Sequence, residues 1–143
     1  MEVLKVLLIE DNEGDILLIS EALKELKVPV DFFYLRDGHD AVEFFKRCVS
    51  GLEEKVPDLV LLDINLPKKN GQEVLSFIKN SPGLKQVPVI MMTTSSSHKD
   101  VWQAYENHAN CYIMKPIGGS NYQEIVEKIE EFWFSLARLP TKL

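Results

Sequence analysis

The chain has 143 residues, of which 45% are hydrophobic and 27% are charged. These proportions are typical of one globular domain with a real core, and they exclude a fibrous or largely disordered chain. A formal net charge of -6, with no basic cluster beyond Lys68 and Lys69, disfavours nucleic acid as a partner.

Cysteine usage and hydropathy indicate the compartment. Cys48 and Cys111 are isolated, with neither a CxxC pattern nor zinc-site spacing, so we interpret both as small core residues in a reducing compartment. The N-terminus shows no signal-peptide pattern, and no run approaches the roughly 20 apolar residues of a membrane span. We therefore expect a cytoplasmic protein with no membrane segment.

Five short β-rich runs alternate with five helical patterns along the chain. Strands are predicted at residues 3–9, 30–35, 59–62, 88–92 and 111–114, and helices at residues 16–26, 41–49, 74–79, 101–108 and 122–136. Capping-box spacing begins the last two helices at Ser97 and Ser120. This alternation predicts an α/β protein with a doubly wound parallel sheet, because right-handed crossovers place helices on both of its faces.

Polar residues follow the predicted strands, where such sheets bind ligands. They are Glu10 and Asp11 after the first, Asp63 after the third, Thr93 and Thr94 after the fourth, and Lys115 and Pro116 after the fifth. Each alone has an ordinary explanation as a cap, a turn or a strand end. Together they predict three carboxylates, a hydroxyl and an ammonium at one edge. Such carboxylates repel one another unless a cation intervenes, which favours a divalent ion and phosphoryl chemistry.

These residues, with Pro67, Gly71 and residues 112–116, resemble the receiver domain of two-component response regulators over about residues 3–137. The resemblance implies a flavodoxin-like (βα)5 fold with strand order 2-1-3-4-5, a single domain over residues 1–143, and a short tail at 138–143. It implies a phosphoacceptor signalling protein that assists its own phosphorylation and dephosphorylation, not an enzyme. Its cofactor would be Mg²⁺, and its phosphoryl donor a histidine kinase.

The same resemblance assigns a role to each site residue. Asp63 would be the phosphoacceptor, and Glu10, Asp11, Asp63 and the main-chain carbonyl of Asn65 would hold Mg²⁺. Thr93 and Lys115 would each bind a phosphoryl oxygen, and Thr93 and Tyr112 would switch with phosphorylation. A cis bond is expected before Pro116. The chemistry is consistent with these roles, because a carboxylate that attacks an anionic phosphoryl group needs neighbouring positive charge.

Three positions depart from or qualify the family pattern. Thr94 stands where receivers usually have a small residue, so it is expected to restrict access to Asp63. Asn65 and Ser95 occupy positions that tune hydrolysis in the family. Since neither is an acid or a long amide able to orient a water molecule, we predict slow self-dephosphorylation.

Alternative functions fit the same residues less well. A haloacid-dehalogenase-type phosphatase would need an acid where Asn65 stands. A flavodoxin would need a Ser/Thr-rich loop where residues 10–13 are mostly acidic, and there is no P-loop motif. The strongest alternative is a receiver-fold dimerisation adaptor with little or no phosphorylation.

The last helix bears on self-association. At 100° per residue, an apolar stripe predicted to face the core consists of Tyr122, Ile125, Val126, Ile129, Phe132, Trp133 and Leu136. Phe134 lies outside this stripe, and Leu139 lies in a tail expected to be exposed. We predict a possible dimer surface from Trp102, Tyr105, Tyr112 and Phe134.

Residues 91–100, 108–116 and 129–140 are most similar to stand-alone regulators paired with phytochrome-type histidine kinases. That resemblance implies a homodimer through helix 4, strand 5 and helix 5, with output by docking.

Overall fold

The computed structural model describes residues 3–51, 55–117 and 121–140. Its strands are β1 (Leu4–Ile9), β2 (Val30–Leu35), β3 (Leu59–Leu62), β4 (Val89–Thr93) and β5 (Cys111–Met114). Its helices are α1 (Glu13–Lys24), α2 (Gly38–Ser50), α3 (Gly71–Lys79), α4 (His98–Glu106) and α5 (Tyr122–Ile129), and a π-helical segment (Glu130–Leu136) continues α5. Within these described ranges, no helix has the length and apolar character needed to cross a membrane.

The five strands form one parallel sheet in the order β2-β1-β3-β4-β5, which confirms the predicted fold. The side chains of β3 and β4 are buried throughout, whereas β2 and β5 lie at the edges and are partly exposed. Because all strands run in the same direction, their carboxyl ends meet at one edge of the sheet.

Two hydrophobic clusters cover the two faces of the sheet. In β1, Leu7 and Ile9 contribute to the cluster beneath α2, α3 and α4, which we call the first core. Val6 and Leu8 contribute to the cluster beneath α1 and α5, the second core. This alternation follows from the two-residue period of a strand, and it holds the central strands rigidly between helices.

Side-chain caps start four of the helices earlier than the apolar periodicity indicates. Asn12, Asp37, Asn70 and Ser97 each accept a hydrogen bond from the backbone N–H three residues later, at 2.7–3.2 Å. The cap at Ser97 is predicted by the sequence, whereas the capping box at Asn70 is not. The capping box predicted at Ser120 lies outside the described residues. Polar caps continue a helix beyond its apolar face, which hydrophobic spacing alone does not detect.

The predicted stripe of the last helix is correct as far as Ile129 and again at Trp133, which packs against the second core. Tyr122, Val126 and Ile129 are buried. Phe132 and Leu136, expected in the core, are 51% and 75% exposed. Phe134, expected to be exposed, packs against the second core. Leu139 is also half-buried instead of exposed. The reason is the π-helical backbone of this segment. A backbone with i→i+5 hydrogen bonds turns through a smaller angle per residue than an α-helix, so different side chains face the core.

Candidate functional site

The register of β1 and β3 places two acidic side chains at neighbouring strand ends. Ile9 pairs with Leu62, so Glu10 and Asp63 are the next residue of each strand. Both are buried, at 1% and 4% exposure, whereas Asp11 is exposed. Carboxylate oxygens of the three residues all lie within 4.8 Å of one another. The structure therefore brings together the three predicted carboxylates.

The backbone around Asp63 is held from both sides. Its N–H donates to the carbonyl of Ile9 at 3.1 Å, and the N–H of Asn65 donates to its Oδ1 at 3.3 Å. The loop that follows β3 folds back so closely that a Cβ on Gly71 would lie 2.1 Å from the carbonyl oxygen of Asp63. Gly71 is therefore required by close backbone approach, which explains its place in the sequence pattern.

Lys115 brings a cation into the carboxylate cluster. Its Nζ lies 2.6 Å from Glu10 Oε1, 2.9 Å from Asp15 Oδ2 and 3.0 Å from Asp63 Oδ2, and its side chain is 6% exposed. Its backbone N–H donates to the carbonyl of Thr93 at 2.9 Å. An ammonium has three N–H donors, so one is available for each carboxylate.

Sequence reasoning missed Asp15, the third partner of Lys115. Asp15 lies in the first turn of α1, and its N–H donates to Asn12 Oδ1 at 2.9 Å. An acidic residue in the first turn of a helix is commonly explained by the helix dipole, so its sequence position carries no specific signal. Only the packing of α1 against α5, which places Asp15 near the residue after β5, reveals the contact.

Burial and charge perturb the ionisation of the cluster. Burial raises the pKa of Glu10 to about 7, the hydrogen bond from Lys115 opposes this, and the charge of Asp63 adds to it. Burial lowers the pKa of Lys115, but its hydrogen bonds to Glu10, Asp15 and Asp63 outweigh that effect and hold the pKa above its ordinary value. Lys115 therefore stays charged, while Glu10 titrates near neutral pH.

The donor set of this cluster fits a small divalent cation. Glu10, Asp11 and Asp63 offer only oxygen ligands, which hard cations such as Mg²⁺ prefer. Two of the three are buried, so their mutual repulsion is only weakly screened by water. Asn65, the fourth predicted ligand, follows two residues after Asp63 on the same loop, and its side chain is exposed.

The end of β4 supplies a hydroxyl and a link to Tyr112. Thr93 is fully buried, and its Oγ1 accepts the N–H of Ser95 at 3.4 Å. The hydroxyl of Tyr112 donates to the carbonyl of Ser95 at 2.8 Å, and burial raises the pKa of Tyr112. The hydroxyl of Ser95 donates to the carboxylate of Asp100, while Thr94 is exposed. The loop after β4 thus connects Thr93 to the aromatic ring on β5.

The expected cis bond before Pro116 is wrong, because that peptide bond is trans. Trans is the more stable isomer before proline by about 0.5–1 kcal/mol. Lys115 reaches all three carboxylates with this backbone.

The four residues predicted as a dimer surface do not form one patch. Trp102 and Tyr105 are 73% and 49% exposed on α4. Tyr112 packs against the first core and Phe134 against the second, on opposite faces of the sheet. The exposed aromatic of the last helix is Phe132, so the prediction for Phe134 is wrong for the reason given above.

Comparisons with known proteins agree with this architecture. Residues 6–130 match the family described as the response regulator receiver domain. The chain is 41% identical over 135 residues to the response regulator Rcp1 of Synechocystis, covering 94% of this chain and 92% of that protein. It is also 41% identical to the probable methanogenesis regulatory protein FilR2 of Methanothrix harundinacea, covering 94% and 86%.

Solved structures extend the likeness to the backbone. The phosphorylated cyanobacterial phytochrome response regulator RcpA superposes with a TM-score of 0.92 at 44% identity, covering 98% of this chain and all of that one. The Mn²⁺-bound form of Rcp1 gives a TM-score of 0.89 at 40% identity, covering 96% and 99%. With the matched residues and the observed sheet order, these likenesses establish that the chain belongs to the response regulator receiver domain family.

Proposed function

We propose that this receiver accepts a phosphoryl group on Asp63 from a histidine kinase, with Mg²⁺ as its cofactor. The observation that carries the proposal is a buried Asp63 carboxylate held 3.0 Å from the Lys115 ammonium, beside Glu10 and Asp11. The phosphorylated structure of RcpA and the Mn²⁺-bound structure of Rcp1 support it by likeness.

In the proposed reaction, an Asp63 carboxylate oxygen attacks phosphorus and forms a P–O bond. The P–N bond to the kinase histidine breaks, and its electron pair stays with that nitrogen. Lys115 and Thr93 would each bind a phosphoryl oxygen, and the strand ends keep these groups in position. Glu10, Asp11, Asp63 and the Asn65 carbonyl would hold Mg²⁺, which supplies positive charge beside the phosphoryl oxygens when bound.

A kinase of the phytochrome type is the finer proposal, supported by the likeness to RcpA and Rcp1. The equal identity to FilR2 makes a kinase with another input the competing outcome. Action as a stand-alone cytoplasmic regulator, with phosphorylation altering dimerisation or docking through α4, β5 and α5, belongs to the same proposal. The presence of only two cysteines, without a CxxC pattern, is consistent with a reducing compartment.

The deciding experiment is phosphorylation by acetyl phosphate and Mg²⁺, read on a phosphate-affinity gel and by intact mass. We expect a Mg²⁺-dependent gain of one phosphoryl group that is absent in Asp63→Asn. The gain should be retained in the control Asp58→Asn, because Asp58 precedes β3 at the opposite edge of the sheet, where it accepts the N–H of Lys5 at 2.8 Å. A phytochrome-type kinase and a kinase without a light sensor are then compared as donors. Modification of Asp63→Asn, or none of wild type with any donor, would contradict the proposal.

The competing function is a dimerisation adaptor, which the exposed Trp102 and Tyr105 on α4 favour. Light scattering with and without acetyl phosphate distinguishes the two functions. A dimer that is lost in Trp102→Ala and unaffected by phosphorylation would favour the adaptor.

A further inference from the structure

Tyr122 carries a buried hydroxyl without a hydrogen-bond partner among the residues that the structure describes. The side chain is 3% exposed and lies at the start of α5, which packs against α1. Burial raises the pKa of Tyr122. The charge of Asp15 adds to this effect, as does an interaction of its carboxylate with the Tyr122 hydroxyl, which lies outside hydrogen-bond geometry in this state. An unused donor therefore lies beside the carboxylate that also binds Lys115.

Lys115 has no spare N–H for a phosphoryl group. Its three donors are matched by three carboxylates at 2.6–3.0 Å. A phosphoryl oxygen on Asp63 can be bound by Lys115 only if one of these contacts is released.

The three partners differ in what would replace the ammonium. Glu10 and Asp63 belong to the cluster suited to a divalent cation, so bound Mg²⁺ would return positive charge to them. Asp15 lies outside that cluster and its side chain is only 22% exposed. Without Lys115 it would remain a largely buried carboxylate, which is costly unless another donor satisfies it.

We propose that Asp15 and Tyr122 form a holding site for Lys115, in which Asp15 binds the ammonium before phosphorylation and accepts the Tyr122 hydroxyl when Lys115 binds the phosphoryl group. The inference rests on the proposed function of Asp63. Asp15 and Tyr122 are positioning residues here, since they act through Lys115.

The test is a double-mutant cycle read by the equilibrium binding of beryllofluoride, a phosphoryl mimic, in the presence of Mg²⁺. Tyr122→Phe should weaken the apparent affinity about tenfold, the size expected for one hydrogen bond to a charged group. Asp15→Ala should bind at least as tightly as wild type, because the competing partner of Lys115 is gone. Adding Tyr122→Phe to Asp15→Ala should then change nothing.

Thermal unfolding without Mg²⁺ separates this role from a structural one. Tyr122→Phe should unfold no earlier than wild type, since the lost hydroxyl makes no hydrogen bond in this state. Tyr34→Phe, at an exposed tyrosine on β2, is the matched control and should bind as wild type does.

Each result has a definite meaning. Equal weakening by Tyr122→Phe in both backgrounds, or no weakening in wild type, would overturn the holding site alone. Wild type that binds no beryllofluoride, with no phosphorylation by any donor, would overturn the proposed function together with it.

Discussion

We expect Glu10 to make the stability of this protein depend on pH in a direction opposite to that of most carboxylates. Burial raises its pKa from 4.5 to about 7, so between these values the folded state binds more protons than the unfolded state. The free energy of unfolding then falls as pH rises. Stability from this group is fully present below pH 4.5 and is lost as pH rises through 7.

The expected magnitude follows from the same shift. At ~1.4 kcal/mol per pH unit, a rise in the pKa of Glu10 from 4.5 to about 7 corresponds to a total change in unfolding free energy of about 3 kcal/mol. About 2–3 kcal/mol of this change falls between about pH 5 and 8. The groups around Glu10 act in both directions, because Lys115 and the N–H of Asn12 favour the carboxylate while Asp63 opposes it. Added Mg²⁺ should flatten the dependence, since a bound cation favours ionised Glu10.

The assay is urea unfolding of wild type and Glu10→Gln at several pH values from about 5 to 8, with and without Mg²⁺. Glutamine cannot ionise, and the other ionisable groups are common to both proteins. The difference in unfolding free energy therefore isolates Glu10. Wild type should lose about 2–3 kcal/mol relative to Glu10→Gln as pH rises without Mg²⁺. A difference that stays constant, or that grows in favour of wild type, would refute the buried, proton-binding Glu10.

Three further predictions, one of them with a control substitution, test separate parts of the molecule. In thermal unfolding, Gly71→Ala should lower the unfolding free energy by about 1–3 kcal/mol, because its Cβ would lie 2.1 Å from the carbonyl oxygen of Asp63. The control Gly14→Ala should be tolerated, because its Cβ would meet only a side chain, at 3.2 Å. Lys79→Met should lower the unfolding free energy by about 1–3 kcal/mol, because it loses three hydrogen bonds of 2.7–3.0 Å to the loops before β4 and β5. Its Mg²⁺-dependent phosphorylation should match that of wild type. A loss of phosphorylation would show that Lys79 also affects the site. Ser95→Gln should speed dephosphorylation several-fold, measured as decay of the phosphorylated protein after donor removal, because a long amide can orient water; an unchanged rate would count against the predicted slow hydrolysis.

The main site could be predicted because the sequence pattern locates each strand end, and the parallel topology places those ends together. An apolar run followed by Asp63 or Lys115 identifies both the strand and the polar residue that directly follows its carboxyl end. Parallel topology then brings those residues to one edge without any knowledge of side-chain packing. In the structure, Ile9 pairs with Leu62, so the residues that follow them, Glu10 and Asp63, lie at neighbouring strand ends.

Contacts between helices were harder to predict for a physical reason. Asp15 and Tyr122 lie at the starts of α1 and α5, and each has an ordinary explanation as an early acidic residue or a core aromatic. The contact of Asp15 with Lys115, and the place of Tyr122 near it, depend on how α1 packs against α5. Likewise, a change from α- to π-helical hydrogen bonding after Ile129 reverses the environments of Phe132 and Phe134, and apolar spacing at 100° per residue does not reveal it.

Charge balance explains why the proposed reaction would need both a cation and a lysine that changes partners. Glu10, Asp15 and Asp63 contact the ammonium of Lys115, and Asp11 lies within 4.8 Å of Glu10 and Asp63. These four carboxylates and one ammonium together carry three net negative charges when all are ionised. An anionic phosphoryl donor would be repelled by that excess, which a proton on Glu10 reduces and a divalent cation reduces further. A proton on Glu10 and a divalent cation would both relieve this repulsion. Only the cation would also leave Lys115 free to bind the phosphoryl oxygen, because the cation would supply positive charge to both Glu10 and Asp63 in place of the ammonium.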